Sequence, residues 1–404
     1  MTYFPVLKLL KLAQFRKGGS KVSQNVLLKN GNVLVNGQLK MVDILLEDGK
    51  IKKLSQDILI DKEVEVFDVK GHTVLPGFID IHTHGGLGVD LNNAEVEDIE
   101  NLRKFFASCG TTSFLPTLLT DAKEKLCKCI NNIVVSKKTS NEGSEILGIH
   151  LEGPYLCKEY KGAMPEHLLQ KPSVEDFEAY QQAAEGAILL MTVSPEVEGV
   201  PEFIKEISST GVVISLGHSG ADYETTMKCI ENGAKHATHT FNAMKLLHQH
   251  FPAISGAVLE SDIYCEAICD GLHLHPAVVR ILIKAKGLER VIGVTDSIMA
   301  TGLGDGNYKL GVNDIVVIDG DARLADLSAR AGSILTTSKM LKNLIEFTKR
   351  PLSEISKIMS ENPARLLEVI DRKGTIEEGK DADLVILNSE YDVVGTFVGG
   401  RKAF

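Results

Sequence analysis

The sequence predicts an α/β fold, a (β/α)8 barrel with a small β-sandwich built from both chain ends, and three observations carry that prediction. Eight short apolar runs fill the middle of the chain, and their starts lie 24 to 42 residues apart, the length of a strand plus a returning helix. The two flanks read differently, as β-type runs broken by turn dipeptides. Ligand-type side chains collect at the ends of the eight central runs, the end of a parallel barrel where chemistry is placed. The 404 residues divide accordingly into an N-terminal extension (1–24), a sandwich from 25–75 and 368–404, and a barrel from 76–367.

The opening segment MTYFPVLKLLKLAQFRKGGSK resembles a secretion signal only superficially. Lys8 and Lys11 interrupt its apolar run, and no small-residue cleavage site follows. It reads as an extra arm, with peripheral membrane contact through Lys8, Lys11, Arg16 and Lys17 as the competing reading. From Val26 to Val74, Asn-Gly at 30–31 and 36–37 and Asp-Gly at 48–49 predict hairpins. The barrel strands are predicted at 78–84, 111–117, 146–153, 188–196, 212–219, 236–241, 264–271 and 291–297. Between them run amphipathic segments such as Val96–Ser108 and Tyr223–Asn232. Ser338–Thr348 and Leu352–Glu361 add helical patterning after the eighth strand, and the stretch from Gly374 returns to β-type runs.

Composition narrows the function. Hydrophobic residues at 44% and charged residues at 24% fit a globular protein and exclude disorder or a fibrous repeat. A formal charge of -10 argues against nucleic acid or an anionic membrane as partner, which leaves a small molecule or another protein. Seven scattered cysteines, an odd number, give no disulfide framework and fit a reducing cytoplasm. No uninterrupted apolar run of about 18 residues occurs, so no membrane span is expected.

The chemistry lies at the strand ends. His82 and His84, two residues apart on an extended chain, share one face. Glu152 ends the third strand, His218 the fifth, His239 the sixth and Asp296 the eighth. Four histidines and two carboxylates from five strands form a donor set for one or two borderline divalent metals such as zinc or ferrous iron. His72, His150 and His275 lack that placement and read as structural. His236, Thr238 and Asn242 lie near His239 and read as supports for it or as substrate contacts.

Those residues carry a resemblance. PGFIDIHTHG (76–85) resembles the first-strand signature of the amidohydrolase superfamily. HLEGPYL (150–156), GHSGA (217–221), HATHTFNAM (236–244), DGLH (270–273) and GVTDSIMATGLGDGNYKLG (293–311) resemble its N-acetylglucosamine-6-phosphate deacetylase family. The likeness runs from about Val26 to the C-terminus, through ENPARLL (361–367) and GKDADLVIL (379–387). It implies metal-dependent hydrolysis of the acetamide of an amino-sugar phosphate to the free amine and acetate, in a homodimeric enzyme. Glu152, His218 and His239 are implied to hold the principal ion, His82 and His84 a second, and Asp296 to act as general base and then acid. Asn242, Ala243, His273, Gly153, Met164 and His250 fall where the family meets its substrate.

Two of these depart from the family pattern. KGAM (161–164) puts Met164 where the family has a histidine that polarises the substrate carbonyl, and a thioether donates no hydrogen bond. Either the metal takes over that role or His167 supplies it. In MKLLHQHFPAISGA (244–257), His250 stands where the family has a phosphate-gripping arginine, and an imidazole is the poorer clamp. His248, Lys245 and His273 are the residues able to share that load. The departures keep open a deacetylase of another N-acetylhexosamine or its phosphate, and a noncatalytic homologue that binds metal or sugar phosphate. Cyclic amidohydrolases that use a carboxylated lysine need one at the end of the fourth strand, and ILLMTVSPE (188–196) has none.

Overall fold

The computed structural model describes residues 25–60 and 63–404, so the arm expected at 1–24 lies outside the described residues. Eight strands form the barrel: Phe78–Thr83, Thr111–Leu119, Ile149–Glu152, Ile188–Val193, Val213–Leu216, His236–Ala237, Tyr264–Ile268 and Val291–Val294. Each pairs in parallel with the next. The ring nearly closes where Thr83 bridges Ser297 and the Asp296 N–H donates to the His82 carbonyl at 2.9 Å. Every residue of the first two strands is buried, polar ones included, so neither strand alternates between a buried and an exposed face. That is the pattern of a parallel sheet covered by helices outside and filled by side chains inside.

The covering helices start and face as their sequences dictate. Val96–Ser108 opens with a reciprocal cap between Glu95 and Asp98 and buries Ile99, Leu102, Phe105 and Phe106 along one stripe. Ser173, Asp222 and Thr336 each cap a later helix by accepting a backbone N–H. His275, expected to be structural, does the same for Pro276–Lys286.

The second unit is an eight-stranded sheet made from both ends of the chain. Thr73–Pro76 runs antiparallel to Leu384–Leu387, joining the N-terminal strands to the C-terminal ones. One side of the sheet contributes Leu34, Leu75, Val385 and Leu387 to the barrel core. Val26, Leu28, Ile44, Val74, Leu384 and Phe397 form a smaller core of their own, and Phe67 packs edge-on against Phe397. Lys373, buried and paired with Glu145 (2.7 Å), Asp381 (3.2 Å) and Asp383, ties the last segment to the barrel.

Two expectations change, and one element is added. Asn36-Gly37 and Asp48-Gly49 turn hairpins with both residues at positive φ, but Asn30-Gly31 does not. It forms a bulge inside the strand Val26–Val35, where Asn30 (φ 62°) is held by Asp43 and Asp68. The bulge lets the first half of that strand pair with Glu65–Asp68 and the second with Thr73–Pro76. The sixth barrel strand stops at Ala237 instead of Phe241, because His239, Phe241 and Ala243 take positive φ values that no strand accommodates. The added element, an antiparallel meander of Gly306–Leu310, Asn313–Ile318 and Asp321–Leu324, follows the eighth strand. Its Leu310, Ile315 and Val317 pack on Leu119, Leu156 and Met164 beside the barrel mouth.

Candidate metal centre and active site

The six predicted residues converge. His82, His84 and Asp296 form one group and Glu152, His218 and His239 a second, each with ligand atoms within 4.8 Å of one another and all six residues buried. The groups touch, since Glu152 Oε2 lies 3.3 Å from His84 Nε2 and Glu152 Oε1 3.6 Å from His82 Nε2. Asp296 Oδ1 is 3.2 Å from His84 Nε2 and 3.5 Å from His82 Nε2.

Each imidazole is fixed from behind through Nδ1. His82 donates to Glu266 Oε2 (2.9 Å), His84 to the Thr117 carbonyl (3.2 Å), His218 to that of Tyr160 (2.8 Å) and His239 to that of Asn242 (3.2 Å). With Nδ1 committed as donor, each neutral ring turns the lone pair of Nε2 to the centre. There His218 Nε2 and His239 Nε2 are 3.1 Å apart, each about as far from Glu152 Oε1, and His82 Nε2 and His84 Nε2 are 3.2 Å apart. Two nitrogens each about 2.0–2.1 Å from a tetrahedral zinc-type ion lie about 3.3–3.4 Å apart, so these separations fit shared cations.

The local field agrees. Burial opposes charge on His84, yet Asp296 and Glu152 push its pKa up to about 9. Burial also opposes ionisation of Glu152, but His82, His218 and His239 outweigh it and hold the carboxyl well below its usual range. The cluster therefore favours positive charge at its centre, which is what a cation supplies. A third acidic group, Glu145, Asp381 and Asp383, is a poor metal site because the Lys373 ammonium already fills it.

Backbone strain positions three of the six side chains. His218 (φ 50°), His239 (φ 25°) and Asp296 (φ 49°) sit in the left-handed region at strand ends, and each is tied down. Ser194 donates to the His218 carbonyl at 2.6 Å, the His239 N–H donates to Glu266 Oε2 at 2.8 Å, and the Asp296 carbonyl accepts from Ser333 N–H at 2.7 Å. Gly153 turns the chain after Glu152 at φ 97°, where a Cβ would meet Thr120 Oγ1 at 2.2 Å.

A cavity of about 300 Å³ opens over the cluster, with His84, Glu152, His218, His239 and Asp296 on its floor. Asn242, Ala243, His273 and Met164 line it as expected, and His273 is oriented by donating to Asp270 at 2.6 Å. His82 is fully buried beneath. Gly153 is not on the lining, and neither is His250, which lies in an exposed turn with His248 and Phe251. His167 is likewise exposed and off the cavity, so it does not replace the hydrogen bond that Met164 lacks. His150 bonds Thr117 and Thr192 inside the barrel, while His236 and Thr238 both bond Ser215 there, below the cavity.

Sequence reasoning missed three contributors. Glu266 stands behind the His82 ring and accepts from the His239 main-chain N–H, and its signal was a lone carboxylate inside the buried run YCEAI. Tyr160 supplies both a cavity wall and the carbonyl behind His218. Arg330, from the meander's return, is the only Arg or Lys lining the cavity among the described residues, and its guanidinium is forked on Asp321 at 2.8 and 3.1 Å.

A nearly closed parallel barrel with such a cluster at its C-terminal mouth defines a metal-dependent hydrolase, and residues 73–403 match the model of the amidohydrolase family, to which the chain belongs. Within that family its relatives are N-acetylglucosamine-6-phosphate deacetylases. The Bacillus subtilis enzyme is 36% identical over 388 residues, covering 95% of each chain, and the human one 34% identical, covering 95% of this chain and 96% of its own. The Pasteurella multocida deacetylase structure superposes with a TM-score of 0.88 at 28% identity, covering 94% of this chain and 99% of that one. An aspartate-to-alanine variant from Mycobacterium smegmatis, in complex with N-acetyl-D-glucosamine-6-phosphate, gives 0.87 at 29% identity with the same coverage. All seven cysteines are free, and no helix among the described residues is long and apolar enough to cross a membrane.

Proposed function

We propose that this chain hydrolyses the acetamide of N-acetylglucosamine 6-phosphate to glucosamine 6-phosphate and acetate, as a cytoplasmic enzyme of amino-sugar catabolism. The observation that carries the reading is the convergence of four Nε2 atoms and two carboxylates beneath one cavity. Glu152, His218 and His239 would hold one divalent ion, zinc or iron(II), and His82, His84 and Asp296 a second. Bound there, a divalent cation acidifies water and polarises a carbonyl.

The chain's own residues supply the rest. Asp296, at the cavity floor, accepts the proton of the attacking water and returns it to the departing amine. Asn242, Ala243 and His273 line the wall on which the sugar is oriented. Met164 adds only apolar contact there, so no hydrogen bond from that side activates the carbonyl. Arg330 gives the lining a guanidinium for the phosphate of an otherwise acidic protein. Leu246, Leu247 and Phe251, 64%, 53% and 70% exposed just beyond Asn242, support a homodimer in which this segment meets the partner and carries His250 to its cavity.

The test is kcat/KM on N-acetylglucosamine 6-phosphate beside N-acetylgalactosamine 6-phosphate and unphosphorylated N-acetylglucosamine. Preference for the first is expected, and a profile indifferent to the phosphate overturns the substrate assignment.

A further inference from the structure

We propose that Glu266 is a positioning residue, one that fixes His82 as a ligand and thereby sets the affinity of the ion held by His82, His84 and Asp296. The proposal rests on the two-ion reading above. Glu266 lies on the seventh barrel strand, which gives no ligand atom to either group, and it is fully buried. A carboxylate in a barrel interior costs several kcal/mol unless it is paired and hydrogen-bonded.

Its partners are specific. One oxygen, Oε2, accepts from His82 Nδ1 at 2.9 Å and from the His239 main-chain N–H at 2.8 Å, while Oε1 faces His236 Nε2 at 3.7 Å. The same atom therefore touches one residue of each metal-binding group. Among the four converging imidazoles, only His82 is backed by a carboxylate, the other three being backed by main-chain carbonyls.

That difference carries the inference. A main-chain carbonyl is present whatever the sequence, whereas this carboxylate has to be encoded. An anionic acceptor also enriches the ring's electron density and makes Nε2 a stronger donor to a cation. His239 depends on it less, because its ring is held independently by the Asn242 carbonyl. Losing Glu266 should accordingly weaken one ion and leave the other.

The experiment titrates chelator-stripped protein with cobalt(II), followed by calorimetry and visible absorption, in the parent, Glu266→Leu and Glu266→Gln. The parent is expected to bind two ions. Glu266→Leu should keep one at parental affinity and bind the other about 10- to 100-fold more weakly. Glu266→Gln retains an acceptor oxygen without the charge, and about tenfold weakening at the same site is expected. If the leucine variant does not fold, the glutamine variant decides alone. Parental affinity at both sites in a folded variant, or equal weakening of both, overturns the proposal. A single ion in the parent overturns the two-ion reading and this proposal together, whereas two ions with unaltered variants overturn this proposal alone.

Discussion

Replacing Asp296 by asparagine removes one negative charge and almost no volume, so its effect on turnover can be separated from its effect on folding. Asp296 sits at φ 49°, and asparagine is among the few residues that accept that region, whereas alanine there would add about 1 kcal/mol of strain. The main chain is pinned on both sides, by Asp296 N–H to His82 at 2.9 Å and by Ser333 N–H to Asp296 at 2.7 Å, and neither bond uses the side chain. Thermal stability should therefore change little. The carboxylate, by contrast, lies at the cavity floor, 3.2 Å from His84 Nε2, where the proposed mechanism makes it the proton carrier. Loss of a positioned general acid–base costs about 10²- to 10⁴-fold, or about 2.7–5.5 kcal/mol of barrier. Amine release from N-acetylglucosamine 6-phosphate measures kcat, and metal analysis should find the Glu152, His218 and His239 ion retained, because none of its ligands has changed. A folded Asp296→Asn protein with that ion bound and kcat within tenfold of the parent would refute the assignment.

Other outcomes follow from features away from the reacting atoms. Lys373→Met leaves buried Asp383 without a cation, while Arg372 still pairs with Glu145 and Asp381, and should destabilise the protein by about 3–5 kcal/mol, read as a lower thermal midpoint. Burial opposes ionisation of Asp381 and Glu145, but Lys50, Lys373 and Arg372 together outweigh it, so their contribution is present above the ordinary carboxyl range and lost as pH falls through it. The variant's deficit should shrink as pH drops toward about 4, and a deficit independent of pH would contradict the charge argument. His167→Ala should leave kcat/KM within about twofold, since the side chain is exposed and off the cavity; a tenfold fall would restore it as the missing donor. Burial pushes Cys129 up to about 11, Cys109, Cys157, Cys229 and Cys265 up to about 12 and Cys269 higher still; Cys127 is raised as well, but it alone of the seven is only half-buried and so the one open to reagent. Ellman's reagent at pH 8 should titrate at most one thiol in the native protein and seven after unfolding, and two fast native thiols would contradict that ranking.

The barrel was legible because its strands are short, mostly buried runs at regular spacing, a signal that survives without any knowledge of pairing. The candidate ligands were legible because five of the six end such a strand or follow it within two residues, and His82 sits one residue inside its strand's end, where position alone constrains role. What escaped was set by long-range geometry. Asn30-Gly31 carries the same dipeptide as a true hairpin turn, and only Asp43 and Asp68, supplied by other strands, make it a bulge. The meander at 306–324 was hidden because its strands alternate partly exposed positions and lack a long apolar run. Glu266 was passed over because a lone carboxylate within a buried strand does not say what it pairs with, and its importance appears only once it is seen behind His82. His250 shows the converse, a residue placed by motif alignment whose side chain does not reach its own chain's cavity.

The pairing of Thr73–Pro76 with Leu384–Leu387 also fixes an order of events during synthesis. The strand that leads into the first barrel strand acquires this neighbour only after more than three hundred further residues have left the ribosome. Until then the N-terminal strands present an open apolar edge, and the nascent barrel lacks the side chains of Val385 and Leu387 from its core. Completion of the chain is thus a checkpoint for folding, and a premature stop anywhere before residue 384 would release a product with Thr73–Pro76 left as an unpaired, aggregation-prone edge.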